Sequence, residues 1–413
     1  MNDIYNSTLT WLDSSEQERR AVMDLVSALS EPGTLDELGI GTIRDTISDV
    51  LFPGTSTIQT RARYFLFIPW ILQIVERRYR SNPAYHARRL QLELRNALDD
   101  AHGANEGVIG REAGAALRTW PITIYWNGLE RWGIRQYRGS ISSYYSALRH
   151  LPNWLAENSV PVERGEDGST ETADRRPGNW APIPPAPEDF PDGATFELTP
   201  DEAGFLSDSV RFKHNESFLA HLLEPGNGDA GGNVSSPWEH RAARTAPPEV
   251  QSWLRDARLF SLVHRGAALL YSLMLADMLV SDGYDQEHRV KGFSREFAEW
   301  SSEIEASLVD IRQWDRAAMW RRILQANPRI RPMARQFADG WYSLVSTRQP
   351  ASLSDDPEAR DLIRDRERAL KGARARLSNS DARAARRGYP ASGRLEFRWS
   401  QVMTMTNDIL SNR

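Results

Sequence analysis

The chain has 413 residues, 40% of them hydrophobic and 26% charged, which is enough for two or three globular domains and excludes wholesale disorder. It contains no cysteine, so disulfides, thiolate zinc sites, iron–sulfur clusters and a cysteine nucleophile are excluded. The net charge of −5 hides an uneven spread: fourteen arginines face seven carboxylates from Arg61 to Arg149, eighteen acids face seven bases from Glu157 to Glu249, and nine bases face Asp381 and Glu396 from Arg368 to Trp399. Two basic regions thus flank an acidic middle, and such asymmetry can mark nucleic-acid contact surfaces.

In chain order, Ser14 and Ser15 with Gln17 and Glu18 have capping-box spacing and start a helix through Val22, Val26 and Leu29 that ends at Pro32-Gly33. Thr42 caps a short helix carrying Ile43, Ile47, Val50 and Leu51, stopped at Pro53-Gly54. A longer helix follows from about Gln59 to Arg80. Its YFLFIPWILQIV is apolar on every face, which makes it the buried centre of its domain, and Pro69 should kink or split it. Arg61 and Arg63 head this helix. At least one is expected to pair with a nearby acid such as Asp45 or Asp49, since a partly buried guanidinium needs a partner.

Residues 107–148 read as a helix, a turn near Thr119-Trp120, a second helix opening with Pro121 and closing at Gly133, then a third. That is helix-turn-helix or winged-helix spacing. The second helix would present Asn127, Arg131 and Thr123 to a major groove, with Arg135 and Arg138 reaching phosphates. The alternative is plain three-helix packing with Trp120, Trp126 and Trp132 as core.

Eight prolines fall within 161–200, and the acidic stretch 157–198 reads as a linker or long surface loop. Thr199-Pro200-Asp201-Glu202 then supplies an N-cap, proline at N1 and glutamate at N3 of a new helix. A second loop covers 224–237. From Pro248 to Leu279, Trp253, Ala257, Phe260, His264, Ala267, Tyr271, Met274 and Met278 step by four and three, the strongest helical signal in the chain. His264 reads there as a hydrogen-bonded core histidine. Helices are also expected at 293–313 and 314–326, and from Asp356-Pro357, with Asp356 paired to Arg360. Strand-like alternation is confined to short pieces such as ATFEL and RLEFRW. The fold class is therefore mainly α, with a helical domain at 1–156, the linker or loop at 157–198 and a second helical domain at 199–413.

The C-terminal basic segment, 368–399, interleaves Lys371, Arg374, Arg376, Arg383, Arg386, Arg387, Arg394 and Arg398 with Tyr389, Phe397 and Trp399. Arginines grip phosphates and aromatics stack on bases, so these are candidate nucleic-acid contacts. The alternative is a segment docked on the acidic middle.

Most familiar chemistries are absent. The three lysines, Lys213, Lys291 and Lys371, follow Phe212, Val290 and Leu370, so there is no P-loop. No acid stands two residues before any lysine, and no Ser-x-x-Lys, Gly-x-Ser-x-Gly or His-Glu-x-x-His occurs. The eight histidines are scattered. No catalytic residue, metal or cofactor is expected. The longest uncharged runs, Tyr64–Val75 and Gly266–Ala276, fall short of the roughly 20 residues of a membrane span, and the N-terminus lacks a signal-peptide pattern, so a cytoplasmic location is expected.

Four strings stand out together: ELGIGTIRDTISDVLFPGTSTIQTRARYFLFIPW at 37–70, GREAG at 110–114, IYWNGLERWGI at 124–134 and RLEFRWSQVMTMTNDIL at 394–410. They resemble an uncharacterised bacterial family, classed as a domain of unknown function and associated with antiviral defence islands near helicase and nuclease genes. The resemblance spans nearly the whole chain and brings no catalytic residue. It implies a non-catalytic component that binds DNA or bridges partner enzymes. The leading expectation is a nucleic-acid-binding accessory component of a multi-protein defence system, its partners DNA or RNA and other proteins of that system. The alternatives are a protein–protein scaffold and an enzyme of unrecognised type.

Overall fold

The chain changes unit between Leu51 and Phe52, inside the first family-like string. The structure, a computed structural model, describes residues 37–103, 107–111, 119–150, 178–228, 234–386, 388–390 and 392–412. The helix expected after Ser14 lies outside them. Of the described residues, a first compact unit takes 52–228 and 398–412, and a second takes 37–51 and 234–397. Both are discontinuous in sequence. Fourteen α-helices and no strand occur among the described residues, a mainly α fold as the periodicity predicts. The first, α1 (Gly41–Leu51), belongs to the second unit and buries Ile43, Ile47 and Leu51 as expected.

The first unit is built on α2 (Tyr64–Arg78), in which every residue from Tyr64 to Leu72 is buried. The helix starts later than the pattern suggested, because Gln59 is drawn into a turn: its side chain accepts from the Ser56 amide and donates to the Gly54 carbonyl. Pro69 lies inside α2 and does not divide it. Against α2 pack α3 (Pro83–His102) and α4 (Pro121–Arg131), and α5 (Ile141–His150) packs on α3. Phe65 stacks flat on Trp132 at 3.7 Å. Gly54, at φ +78°, admits that indole: a Cβ there would stand 2.5 Å from Trp132 Nε1.

Residues 178–198, the described part of the expected linker, line α2 instead of leaving it. Trp70 Nε1 donates to the Pro184 carbonyl at 2.8 Å, Phe190 packs edge-on against Trp70, and Phe196 packs on Tyr64. α6 (Pro200–Lys213) carries the capping box read from the sequence, with Thr199 and Glu202 each accepting the other's backbone N–H. α7 (Phe218–Leu222) is one short turn capped by Ser217.

The second unit is organised by α8 (Pro248–Ser281), 34 residues, about 51 Å at 1.5 Å per residue. α8 is long and apolar enough to cross a bilayer by length and composition. It is the one such helix among the described residues, and 83% of its most apolar window is buried inside the protein. Counting uncharged runs passes over it because Arg265 and Asp277 interrupt the apolar sequence. α9 (Glu287–Arg312), α11 (Pro332–Thr347), α12 (Pro357–Lys371) and α1 all pack on α8, and α10 (Arg316–Ala326) packs on α1. Trp300 and Trp341 donate their indole N–H groups to the Leu262 and Val263 carbonyls at 2.8 Å, so two large side chains are fixed by polar as well as apolar contacts. Asp356 caps α12 through the Glu358 and Ala359 amides. Arg360 therefore turns elsewhere, to the Ser354 carbonyl and Asp277, rather than pairing with Asp356 as expected. α13 (Ser380–Ala385) is a short helix capped by Asn379.

The last helix, α14 (Trp399–Leu410), belongs to the first unit, where it packs on α6 and α7. RLEFRW forms no strand: Phe397 and Arg398 take positive φ of 51° and 65°, which ends the extended run and starts α14.

Candidate nucleic-acid interface

The basic segment at 368–399 is largely drawn into internal ion pairs. Arg376 is 3% exposed, donates to Glu37 at 3.0 Å and to the Gly388 carbonyl, and lies over the Tyr271 ring. Arg383, also buried, holds Asp282 with two nitrogens at 2.7 and 3.0 Å, and that hydrogen bonding keeps the Asp282 carboxyl below its usual range. Lys371 lies against Glu37 and Glu367, and Arg394 reaches Glu303 at 3.0 Å. The Tyr389 hydroxyl donates to Gln286. Arg398 donates to the Thr55 carbonyl, and Trp399 is buried against Phe52 and Phe218. A guanidinium removed from water needs a counter-charge and hydrogen-bond acceptors, and these acids supply them. Arg376, Arg383 and Trp399 therefore face the interior rather than a partner. Arg374 and Arg386 stay exposed, and Arg387 lies outside the described residues.

Of the helix-turn-helix candidate at 107–148, α4 and α5 are present, but 112–118, where its first helix was expected, lies outside the described residues. Of the three tryptophans that the packing alternative takes as core, Trp126 and Trp132 are buried and Trp120 is half-buried. Asn127, Arg131 and Arg138 are exposed and Thr123 is half-buried. Arg135 is buried at 3%. It lies over the Trp126 ring at 4.2 Å and donates to the Trp126 and Tyr137 carbonyls and to Glu130. Burial lowers its pKa. It fixes the α4–α5 connection and does not reach outward to a phosphate.

Arg61 and Arg63, expected to pair with an acid such as Asp45 or Asp49, are held by other acids. Arg61 forms a bidentate pair with Asp408 of α14 (2.7–3.0 Å), and Arg63 pairs with Glu202 at 2.8 Å and donates to Thr195. Asp45 is held by Arg44. Both guanidinium groups are partnered, but by acids distant in sequence.

The corner between α2 and α3 combines basic and aromatic groups at the surface. From Arg77 to Arg89 the chain reads RRYRSNPAYHARR, five arginines without an acid. Pro83, at the first position of α3, starts that helix with φ already set and no N–H to satisfy, and this leaves Tyr79–Asn82 as the connection. Arg77, Arg78, Arg88 and Arg89 are exposed. Arg77 and Arg78 sit in the last turn of α2, where a helix C-terminus favours cations. Arg80 donates to the Glu76 carbonyl at 2.7 Å. Arg89 makes a loose 3.5 Å pair with Glu93, and Arg77, Arg78 and Arg88 form no ion pair among the described residues.

Aromatic rings stand among these charges. Tyr79 stacks on His86 at 4.1 Å with an interplanar angle of 9°, Arg89 lies over Tyr79 at 5.5 Å, and Tyr85 meets His86 edge-to-face at 5.1 Å while remaining 60% exposed. Arg88 also acts on Tyr145 of α5, partly offsetting the upward push of burial on that hydroxyl's pKa. The acid just before the corner, Glu76, is occupied: its carboxylate accepts from Tyr144, Asn179 and Trp180.

The profile of a family described as a family of unknown function, DUF6361, matches residues 6–410. The chain belongs to DUF6361. No curated protein and no solved structure matches it.

In this DUF6361 chain a second basic turn joins α10 to α11, with Arg321, Arg329, Arg331 and Arg335 exposed. Its neighbours are already neutralised: Arg316 and Arg335 share Asp339, and Arg322 pairs with Asp256. Only Met333 is exposed there as a large apolar side chain. The α2–α3 corner thus has the greater unneutralised charge and the only exposed ring of the two. Its signal was present in the sequence. The same interleaving that singled out 368–399 occurs in thirteen residues here, diluted when charge was summed from Arg61 to Arg149.

Proposed function

We propose that this protein is a nucleic-acid-binding accessory component of a bacterial defence-type multi-protein system, without catalytic activity of its own. The observation that carries the binding reading is the α2–α3 corner, where Arg77, Arg78, Arg88 and Arg89 are exposed beside Tyr85 with no acid between Arg77 and Arg89. Phosphate contacts of this kind supply most of the affinity of sequence-independent binding. The non-catalytic reading is supported by a sequence without P-loop, Ser-x-x-Lys, Gly-x-Ser-x-Gly or His-Glu-x-x-His patterns, and the defence context by the sequence resemblance alone.

Titration of labelled single-stranded and duplex DNA at several salt concentrations tests it. Replacing Arg77, Arg78, Arg88 and Arg89 by alanine should weaken binding to all sequences alike. It should also flatten the log–log salt slope by about 0.7–0.9 for each phosphate contact removed. Parental affinity and slope in that variant would remove the corner from the interface. A protein–protein scaffold is the second reading, favoured by the exposure of Phe212, at 84%, and Val309, at 68%. It takes first place if no nucleic acid binds.

A further inference from the structure

We infer that the α2–α3 corner takes single-stranded rather than duplex nucleic acid, an inference that rests on the nucleic-acid reading above. Tyr85, Arg88 and Arg89 stand at i, i+3 and i+4 on α3, and therefore share one helix face. Tyr79 is closed, with His86 stacked on its ring and Arg89 lying over it. His86 in turn bears the edge-to-face contact of Tyr85. This sequence of rings holds Tyr85 in place and leaves 60% of it in water. An exposed, supported ring flanked by exposed guanidinium groups is the arrangement that binds an unpaired base and its adjoining phosphates.

A duplex offers such a ring little. Its base faces are covered by neighbours and only their edges open into the grooves, so Tyr85 could reach a face only by unstacking a step. The arginines, by contrast, would contact the phosphates of either form. The ring and the charges therefore make separable predictions: charge sets how strongly any polyanion binds, and Tyr85 sets the preference for unpaired bases. Every base has a π-face, so the preference carries no sequence specificity. DNA and RNA share the chemistry used here, and the probes distinguish them.

The test uses the full chain and fluorescence anisotropy with three labelled probes: a 20-nucleotide oligo-dT, a 20-nucleotide oligo-U and a 20-base-pair DNA duplex. At least one single strand should bind about tenfold more tightly than the duplex, and comparison of the two strands shows which of them is preferred. Tyr85→Ala should weaken that strand's binding about 5- to 100-fold, the range that loss of one stacked base implies, and leave duplex binding unchanged. Tyr85→Phe, which keeps the ring, should bind as the parent does. Circular dichroism checks that both variants are folded, as an exposed position allows. Equal binding of strand and duplex, or parental binding of oligo-dT and oligo-U by Tyr85→Ala, overturns the single-strand inference while leaving phosphate binding intact. Failure of all three probes to bind overturns the nucleic-acid reading itself.

Discussion

His264 lies on the buried face of α8, where Nδ1–H donates to the Phe260 carbonyl at 3.0 Å and the ring stacks on Phe260. Burial lowers its pKa from 6.5 to about 4, with Asp339 opposing the shift and Arg316 adding to it. In the unfolded chain the imidazole takes a proton below pH 6.5, whereas in the folded chain it does so only near pH 4. The unfolded state therefore holds more protons across that window, and stability falls as pH drops through it. At pH 5 the loss is about 2 kcal/mol. Urea midpoints at pH 7 and pH 5 measure it, and His264→Gln, which cannot titrate, should narrow the difference by that amount. An unchanged difference would assign the pH dependence to other groups. The role of His264 was legible because its neighbours at helical spacing are apolar. The partners of Arg61 and Arg63 were not, since Asp408 and Glu202 lie 347 and 139 residues away and nothing local marks them. Arg135 was misread for a related reason: its sequence neighbourhood does not show that Trp126 and the Tyr137 carbonyl enclose it.

Helices announced by their own termini were the easiest to read. The Thr199–Glu202 capping box and the Asp356-Pro357 start each depend on four or fewer consecutive residues, and both formed. α14 was hidden because RLEFRW alternates like a strand, and only the left-handed backbone at Phe397 and Arg398 diverts it. Contacts between elements were less legible than the elements themselves. α8 and α9 approach at Gly266, where an added Cβ would lie 2.1 Å from the Trp300 ring. That ring cannot easily retreat, because its Nε1 is bonded to the Leu262 carbonyl. Alanine at Gly266 would gain about 1 kcal/mol of helix propensity against about 1–3 kcal/mol of overpacking, so the steric term should win. Gly266→Ala is therefore expected to lower the urea midpoint. A variant as stable as the parent, or more so, would show that α9 can shift at little cost.

At the scale of the whole chain, charge summed along the sequence proved a poor guide to charge at the surface. The acids that neutralise 368–394 include Glu37, Asp282, Glu303, Asp365 and Glu367, none of them in the segment or in the acidic middle at 157–249. The same long-range closure builds the first unit, which is completed by the last helix. α14 buries Trp399, Val402, Met405 and Ile409, and burying four such side chains contributes about 6–12 kcal/mol, comparable to the whole stability of a domain. It also supplies Asp408, which accepts from the Arg61 guanidinium and the Ala62 amide. A chain ending at Phe397 would lose the apolar cover of Phe52 and Phe218 and leave Arg61 without its carboxylate. Hydrogen exchange should then rise throughout α2, α6 and α7, not only at the new terminus. Asp408→Asn separates the two contributions, since it removes the charge and keeps the packing; its effect should be smaller and centred on the start of α2. If the shortened chain keeps parental protection in α2, α14 is an appendage and the first unit closes without it.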